Sequence, residues 1–146
     1  MQTVAHILHS KSNQTVCRIV PTAPVQDALK LLAENGIGAL LVMEGEQIAG
    51  IVSERDYTRK VELMGRSASA TLVSDIMTSS VICVGPGHSN EQCMALMTEN
   101  RLRHLPVVEN GKLIGVISIG DLVKDIISEQ KFTIQQLEHY LHGGRA

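Results

Sequence analysis

The chain repeats itself. Residues 16–61 slide onto residues 81–126 without a gap. Val16/Val81, Pro21/Pro86, Leu31/Leu96, Glu34/Glu99, Asn35/Asn100, Leu40/Leu105, Val42/Val107, Glu44/Glu109, Gly50/Gly115, Ser53/Ser118 and Asp56/Asp121 are identical pairs. Most remaining core positions match in class. A half of about 46 residues is too small to bury a sheet by itself, so the two copies must share a core. The repeat therefore predicts two similar halves packed face to face about a pseudo-twofold axis, with two equivalent clefts between them.

Each copy carries the same run of signals. Val25, Ala28, Leu29, Leu31 and Leu32 recur at helical spacing, and Asn35-Gly36 supplies a stop. Ala39–Met43 is an unbroken apolar run, Glu44-Gly45-Glu46 a tight turn, and Ile48–Val52 the returning strand of a hairpin. Residues 53–64 then read as a second helix. In the second copy, Val81–Val84 reads as a strand ended by Pro86. Asn90–Glu99 reads as a helix with Cys93, Met94, Leu96 and Met97 inward. Leu105–Val108 and Leu113–Ile117 form a hairpin about Glu109-Asn110-Gly111. Thr15–Val20 reads as a strand leading into the first copy. Val73–Met77 is a short helical turn with Ser74 or Asp75 near its start.

Flanking segments complete the order. Val4, Ile7 and Leu8 mark a short amphipathic helix over residues 2–9, followed by a polar loop over Ser10–Gln14. Leu122–Leu141 is a long helix, with a break expected near Phe132-Thr133 and a stop at Gly143-Gly144. Its apolar face calls for a partner, either the N-terminal helix or a second protomer. The expected divisions are residues 1–64 (first repeat with the N-terminal helix), 65–72 (linker), 73–128 (second repeat) and 129–146 (C-terminal helical extension). The fold class is α+β, two βαββα halves packed through their sheets with flanking helices.

Composition narrows the function. Phe132, Tyr57 and Tyr140 are the only aromatic residues and Trp is absent. The core is therefore aliphatic, and base stacking on aromatic rings is not available for single-stranded nucleic acid. A net charge of −2 leaves no basic footprint for a duplex. Three cysteines without CxxC spacing favour reduced thiols and a cytoplasmic protein. No signal peptide and no membrane-length apolar run is evident. The pairs His6/His9 and His139/His142 have no Cys or carboxylate to complete a metal set, and no nucleotide-loop or nucleophile-elbow motif occurs.

The stretch ending each copy, Gly50-Ile-Val-Ser53-Glu-Arg-Asp56 and Gly115-Val-Ile-Ser118-Ile-Gly-Asp121, admits two readings. One is a helix cap, with Ser at the cap position and Asp reaching back from the third residue. The other is a ligand corner. A carboxylate accepts from both hydroxyls of a ribose, helix N-terminal amides receive a phosphate, and aliphatic strands offer a slot for adenine. The two roles are compatible.

The repeated Gly-h-h-Ser-x-x-Asp resembles a pair of cystathionine-β-synthase (CBS) domains. So do Ile37-Gly38-Ala39-Leu40, Ser53-Glu54-Arg55-Asp56-Tyr57, Asp75-Ile76-Met77-Thr78 and Arg103-His104-Leu105-Pro106-Val107-Val108. The likeness spans about residues 4–128. It implies homodimeric discs whose clefts bind adenosyl compounds such as AMP, ADP, ATP, NAD or S-adenosylmethionine. Asp121 would hold the ribose, with Ser118 and Gly120 lining the turn. Adenine would lie against Val116 and Ile37-Gly38-Ala39. Lys11, Ser12 and Cys17 would complete that cleft, and Arg103 and His104 would meet the phosphate. The second cleft would use Ser53, Arg55, Asp56, Thr78 and Cys83. It has Gly38-Ala39 where the first has Arg103-His104, so it is expected to be the weaker.

The resulting expectation is a regulatory module that binds an adenosyl nucleotide and does not catalyse. AMP comes first as the ligand, with NAD or ATP next. There is no obligatory cofactor and no metal, and the partners are a second copy and an effector protein, with no nucleic acid or membrane. The rivals are a structural dimerisation module with both motifs serving as caps only, and a nucleotide-processing enzyme using Asp121 with His104.

Overall fold

In the computed structural model, residues 2–11 and 16–142 are described. The order is α1 (Val4–Ser10), β1 (Arg18–Ile19), α2 (Val25–Asn35), β2 (Ala39–Glu44), β3 (Gln47–Ser53), α3 (Glu54–Tyr57) running into a π-helical turn (Thr58–Glu62), α4 (Val73–Ile76), α5 (Asn90–Asn100), β4 (His104–Glu109), β5 (Lys112–Ser118) and α6 (Ile119–His142). The expected α+β composition is present. Two compact units are distinguished, one of residues 15–83 and 108–114, the other of residues 1–14, 84–107 and 115–146. α1 is thus grouped with the second repeat.

The unit holding the first repeat contains the sheet β1-β2-β3, with β1 parallel and β3 antiparallel to β2. Its core is aliphatic: Ile19, Val25, Ala28, Leu32, Leu40, Val42, Val52, Val61, Val73 and Ile76 cluster together. α2 presents Val25, Ala28 and Leu32 to that core and stops at Gly36, which takes the left-handed conformation at φ 60°. After α4 the chain pairs with β3, exchanging Ile51 N–H to Thr78 O and Thr78 N–H to Ile51 O at 3.0 and 2.9 Å. That close approach requires Gly50. A Cβ there would stand 2.7 Å from the Thr78 carbonyl oxygen and 2.8 Å from Met77 Sδ.

In the other unit, α1 and α5 both lie against α6. α1 is tied down by Val4 N–H to His88 O at 2.8 Å and Ala5 N–H to Pro86 O at 3.0 Å. Leu8 lies over Gly115, where a Cβ would meet Leu8 Cδ2 at 2.8 Å. Asn90 is fully buried and donates from Nδ2 to Leu122 O at 2.9 Å and Asp125 Oδ2 at 2.8 Å, bracing α5 on α6. The β4–β5 hairpin, whose residues 108–114 are grouped with the first unit, turns through Asn110 and Gly111, both at positive φ, as the Asn-Gly pair requires.

Four expectations need correction. The strand over Val81–Val84 shrinks to one parallel bridge, Val84 to Val107. In the first repeat Leu41 N–H donates to Cys17 O at 3.4 Å; the repeat-equivalent of Leu41 is Pro106, which has no N–H to donate. The strand over Thr15–Val20 is two residues long, and Thr15 lies outside the described residues. The helix over 53–64 starts after Ser53 and changes to a π-helical turn at Thr58. α6 runs unbroken through Phe132-Thr133: neither residue removes a backbone donor, and the Thr133 hydroxyl donates to Glu129 O at 3.0 Å. Within α5, Cys93 and Met97 are buried while Met94 and Leu96 are half-buried. Gly143-Gly144 and residues 12–14 of the expected loop lie outside the described residues.

Candidate functional site

β5 alternates, with Gly115 and Ile117 buried and Val116 and Ser118 half-buried. It delivers Ser118 to the start of α6. There Ser118 N–H donates to Asp121 Oδ2 at 2.8 Å and Asp121 N–H donates to Ser118 Oγ at 3.2 Å. This is the reciprocal cap the Ser-x-x-Asp spacing predicts. Ile119 N–H donates to Arg103 O at 2.9 Å, which sets the first turn of α6 beside the start of β4 and brings His104 near Asp121.

A second group reaches the carboxylate from far along the chain. Lys11 follows α1, and its Nζ lies 2.9 Å from Asp121 Oδ2 and donates to Val116 O at 2.9 Å. The side chains are 24% and 14% exposed, so the pair is shielded from most solvent screening. Burial pushes the Asp121 carboxyl up, but the Ser118 hydrogen bonds and the Lys11 ammonium outweigh it and hold the group below its ordinary value. Asp121 is therefore ionised at neutral pH. Burial lowers His104, and the nearby Lys11 and Arg103 charges add to that against the pull of Asp121. At neutral pH the corner thus holds one carboxylate, two cations and a neutral imidazole. Such a set can accept from hydroxyls and attract an anion within a few ångströms.

Of the residues expected in the first cleft, Lys11, Arg103, His104, Val116, Ser118, Gly120 and Asp121 fall in one unit. Arg103 and Gly120 are exposed there, and His104 is half-buried. Cys17, Ile37, Gly38 and Ala39 belong to the other unit, and Ser12 lies outside the described residues. Among the second set, Ser53 and Asp56 form the matching cap. Ser53 N–H and Oγ both donate to Asp56 Oδ2 at 3.0 Å, and Asp56 N–H donates to Ser53 Oγ at 3.1 Å. Arg55 is exposed. Thr78 pairs with Ile51 through its backbone, and Cys83 is an exposed free thiol.

Sequence reasoning missed Lys60. Its Nζ lies 3.5 Å from Asp56 Oδ1 and donates to Ile76 O at 2.8 Å. The i,i+4 spacing from Asp56 was a readable signal for that pair. The pairing of Lys11 with Asp121 had no such spacing signal, since 110 residues separate them; the family resemblance alone placed both in one cleft.

A family model for the CBS domain matches residues 15–63 and 73–128. The chain is 44% identical over 125 residues to the CBS domain-containing protein CBSX3, mitochondrial, of Arabidopsis thaliana, covering 82% of this chain and 61% of that protein. The chain thus spans less than two thirds of that relative's length. A solved protein with CBS domains from Burkholderia ambifaria superposes with a TM-score of 0.84 at 58% identity, covering 88% of this chain and 96% of that one. A CBS domain protein from Pyrobaculum aerophilum, solved complexed with AMP, shares the fold at a TM-score of 0.73 and 24% identity, covering 82% and 89% of the two chains. Among the described residues no helix is long and apolar enough to cross a membrane.

Proposed function

Because the chain belongs to the CBS-domain family, with both repeats matched, we propose that it is a regulatory module whose Asp121 corner binds an adenosyl nucleotide. AMP is the first ligand to test, and NAD, ADP and ATP follow. The observation that carries this reading is the Asp121 carboxylate itself. It is ionised and mostly shielded, with Lys11 2.9 Å away and with His104, itself near Arg103, close by at the start of β4. In this reading Asp121 accepts from the ribose hydroxyls, and Lys11 and Arg103 neutralise the phosphate. Val116 offers an apolar face to the base. The AMP complex of the Pyrobaculum protein supports the choice of ligand class. The output passes to an effector protein in the cytoplasm, and no step of catalysis is involved.

Isothermal calorimetry with AMP, ADP, ATP and NAD tests the reading. Asp121→Asn keeps the shape of the cap and removes the charge. It is expected to lose about 1.5–3 kcal/mol of hydrogen bonding to a charged acceptor, or roughly 10- to 100-fold in affinity. Unchanged affinity in that variant overturns the ribose assignment. A second reading has one specific observation behind it: both Asp56 and Asp121 are already engaged as helix caps, which suffices for a purely structural module. A thermal-shift panel separates the two, since a ligand that binds only the folded state raises the melting temperature. No shift with any adenosyl compound favours the structural module.

A further inference from the structure

α1 stands in the second repeat where α4 stands in the first. Val4 N–H donates to His88 O at 2.8 Å and Ala5 N–H to Pro86 O at 3.0 Å, as Val73 N–H donates to Ala23 O at 2.8 Å and Ser74 N–H to Pro21 O at 3.0 Å. Pro86 and His88 are the repeat-equivalents of Pro21 and Ala23. Thr3 bridges Ser89 as Leu72 bridges Pro24. Leu8 lies over Gly115 as Met77 lies over Gly50. The match stops there. After Ile76 the chain turns extended at Met77 and pairs Thr78 with Ile51 through two backbone bonds. After Ile7 the helix instead runs on through Leu8, His9 and Ser10. Val116, the equivalent of Ile51, accepts from the Lys11 ammonium at its carbonyl, and the same ammonium holds Asp121 Oδ2. Equivalent segments of one chain thus take two conformations, and the difference falls beside Asp121.

On the nucleotide reading of the Asp121 corner, we propose that residues 9–11 are a ligand-driven switch. A nucleotide draws Lys11 off the carboxylate, the last turn of α1 unwinds, and His9 pairs with Val116 as Thr78 pairs with Ile51. Asp121 Oδ2 takes Ser118 N–H at 2.8 Å and Lys11 Nζ at 2.9 Å, so a ribose hydroxyl seeking that oxygen competes with the lysine. The phosphate offers the displaced ammonium another anion. The ligand therefore binds one state better than the other, which is what shifts a two-state equilibrium. The helical state is lightly held. Lys11 N–H closes on Leu8 O at 3.2 Å and Ser10 Oγ donates to Ile7 O at 2.9 Å, in a helix of seven residues, a length that is marginal in water. The extended state is prepared. Leu8 already occupies the place of Met77, and the N–H and C=O of a paired strand residue point to the same edge, so Val116 N–H faces α1 as its carbonyl does. Unwinding shortens α1 to the length of α4 and carries the occupancy of the site into that helix.

Amide hydrogen exchange of the full chain, read by NMR with and without AMP, tests the switch, with calorimetry measuring occupancy. On AMP binding the Val116 amide is expected to slow about tenfold or more, while the amides of residues 10 and 11 speed up by a similar factor. Plain stabilisation by a ligand slows all three, and unfolding speeds all three. Lys11→Met without nucleotide is expected to show the same opposed changes, because the tie to Asp121 and Val116 is gone. Saturable AMP binding with the three amides unchanged or moving the same way overturns the switch and leaves the nucleotide reading standing. AMP that fails to bind overturns that reading and the ligand's part in the switch. A Lys11→Met pattern identical to the wild type overturns the two-state segment itself.

Discussion

The two Ser-x-x-Asp corners start from the same sequence pattern and end in different environments. Both caps close through the same reciprocal bonds. In both, the first helical N–H donates to the residue before the incoming strand, Glu54 to Gly38 and Ile119 to Arg103. In both, a lysine bridges the aspartate and a backbone carbonyl. At Asp56 that lysine is Lys60, one turn along the same helix, 3.5 Å away and 45% exposed. At Asp121 it is Lys11, brought in by α1, 2.9 Å away and 24% exposed. The repeat-equivalent of Lys60 is Asp125, which accepts from Asn90 and Gln2 instead. A local ion pair of the Lys60 kind is worth a few tenths of a kcal/mol. One supplied through tertiary packing and shielded from water interacts more strongly, and it adds cationic charge where Arg103 already stands.

The comparison can be broken first at the glycines. Gly50→Val drives a side chain into the Thr78 carbonyl, a backbone atom that cannot step aside. A loss of about 3 kcal/mol in chemical denaturation is expected, at the upper end of overpacking costs. Gly115→Val meets only the flexible end of Leu8, and about 1–2 kcal/mol is expected. Equal losses would mean that the two approaches are equally rigid.

The ligand test sharpens the comparison next. Asp121→Asn is expected to weaken nucleotide binding roughly 10- to 100-fold, a loss of about 1.5–3 kcal/mol, and Asp56→Asn to change it less than about threefold. The reverse order in calorimetry would move the primary site to the first repeat.

Acidification gives a smaller effect of fixed sign. Asp121 lies below its ordinary value in the folded state, so its contribution is complete above the unfolded carboxyl range and is lost as pH falls through the lowered value. His104 is also lowered, so the folded state resists its protonation, and stability declines as pH falls below the ordinary histidine range. Both effects act in the same direction. Lys11→Met removes one of the causes that hold Asp121 low and is expected to flatten the Asp121 component, read from denaturation midpoints across pH 3–7.

The smallest effect is at the helix stops. Gly36 ends α2 and Arg101 ends α5, both left-handed, at φ 60° and 55°. Arg101→Gly is expected to stabilise by about 0.5–1 kcal/mol, because glycine carries no Cβ penalty in that region. A destabilised Arg101→Gly would show that the arginine side chain supports its own cap.

The register of the repeat, the aliphatic core, both hairpins and both caps were legible in the sequence. Each depends on neighbours within a few residues or on a periodicity the chain displays. The missing ladder opposite Pro106 was legible in principle, since a residue without an N–H cannot donate, but the repeat suggested symmetry and hid it. Lys60 was within reach of the same helical spacing argument. The sequence by itself determined that two Ser-x-x-Asp caps exist and that they are equivalent in outline. Only the tertiary structure decided that Lys11 meets Asp121, because α1 packs on the elements of the second repeat. That contact joins residues with no periodic relation, and electrostatic strength follows distance and shielding rather than sequence spacing.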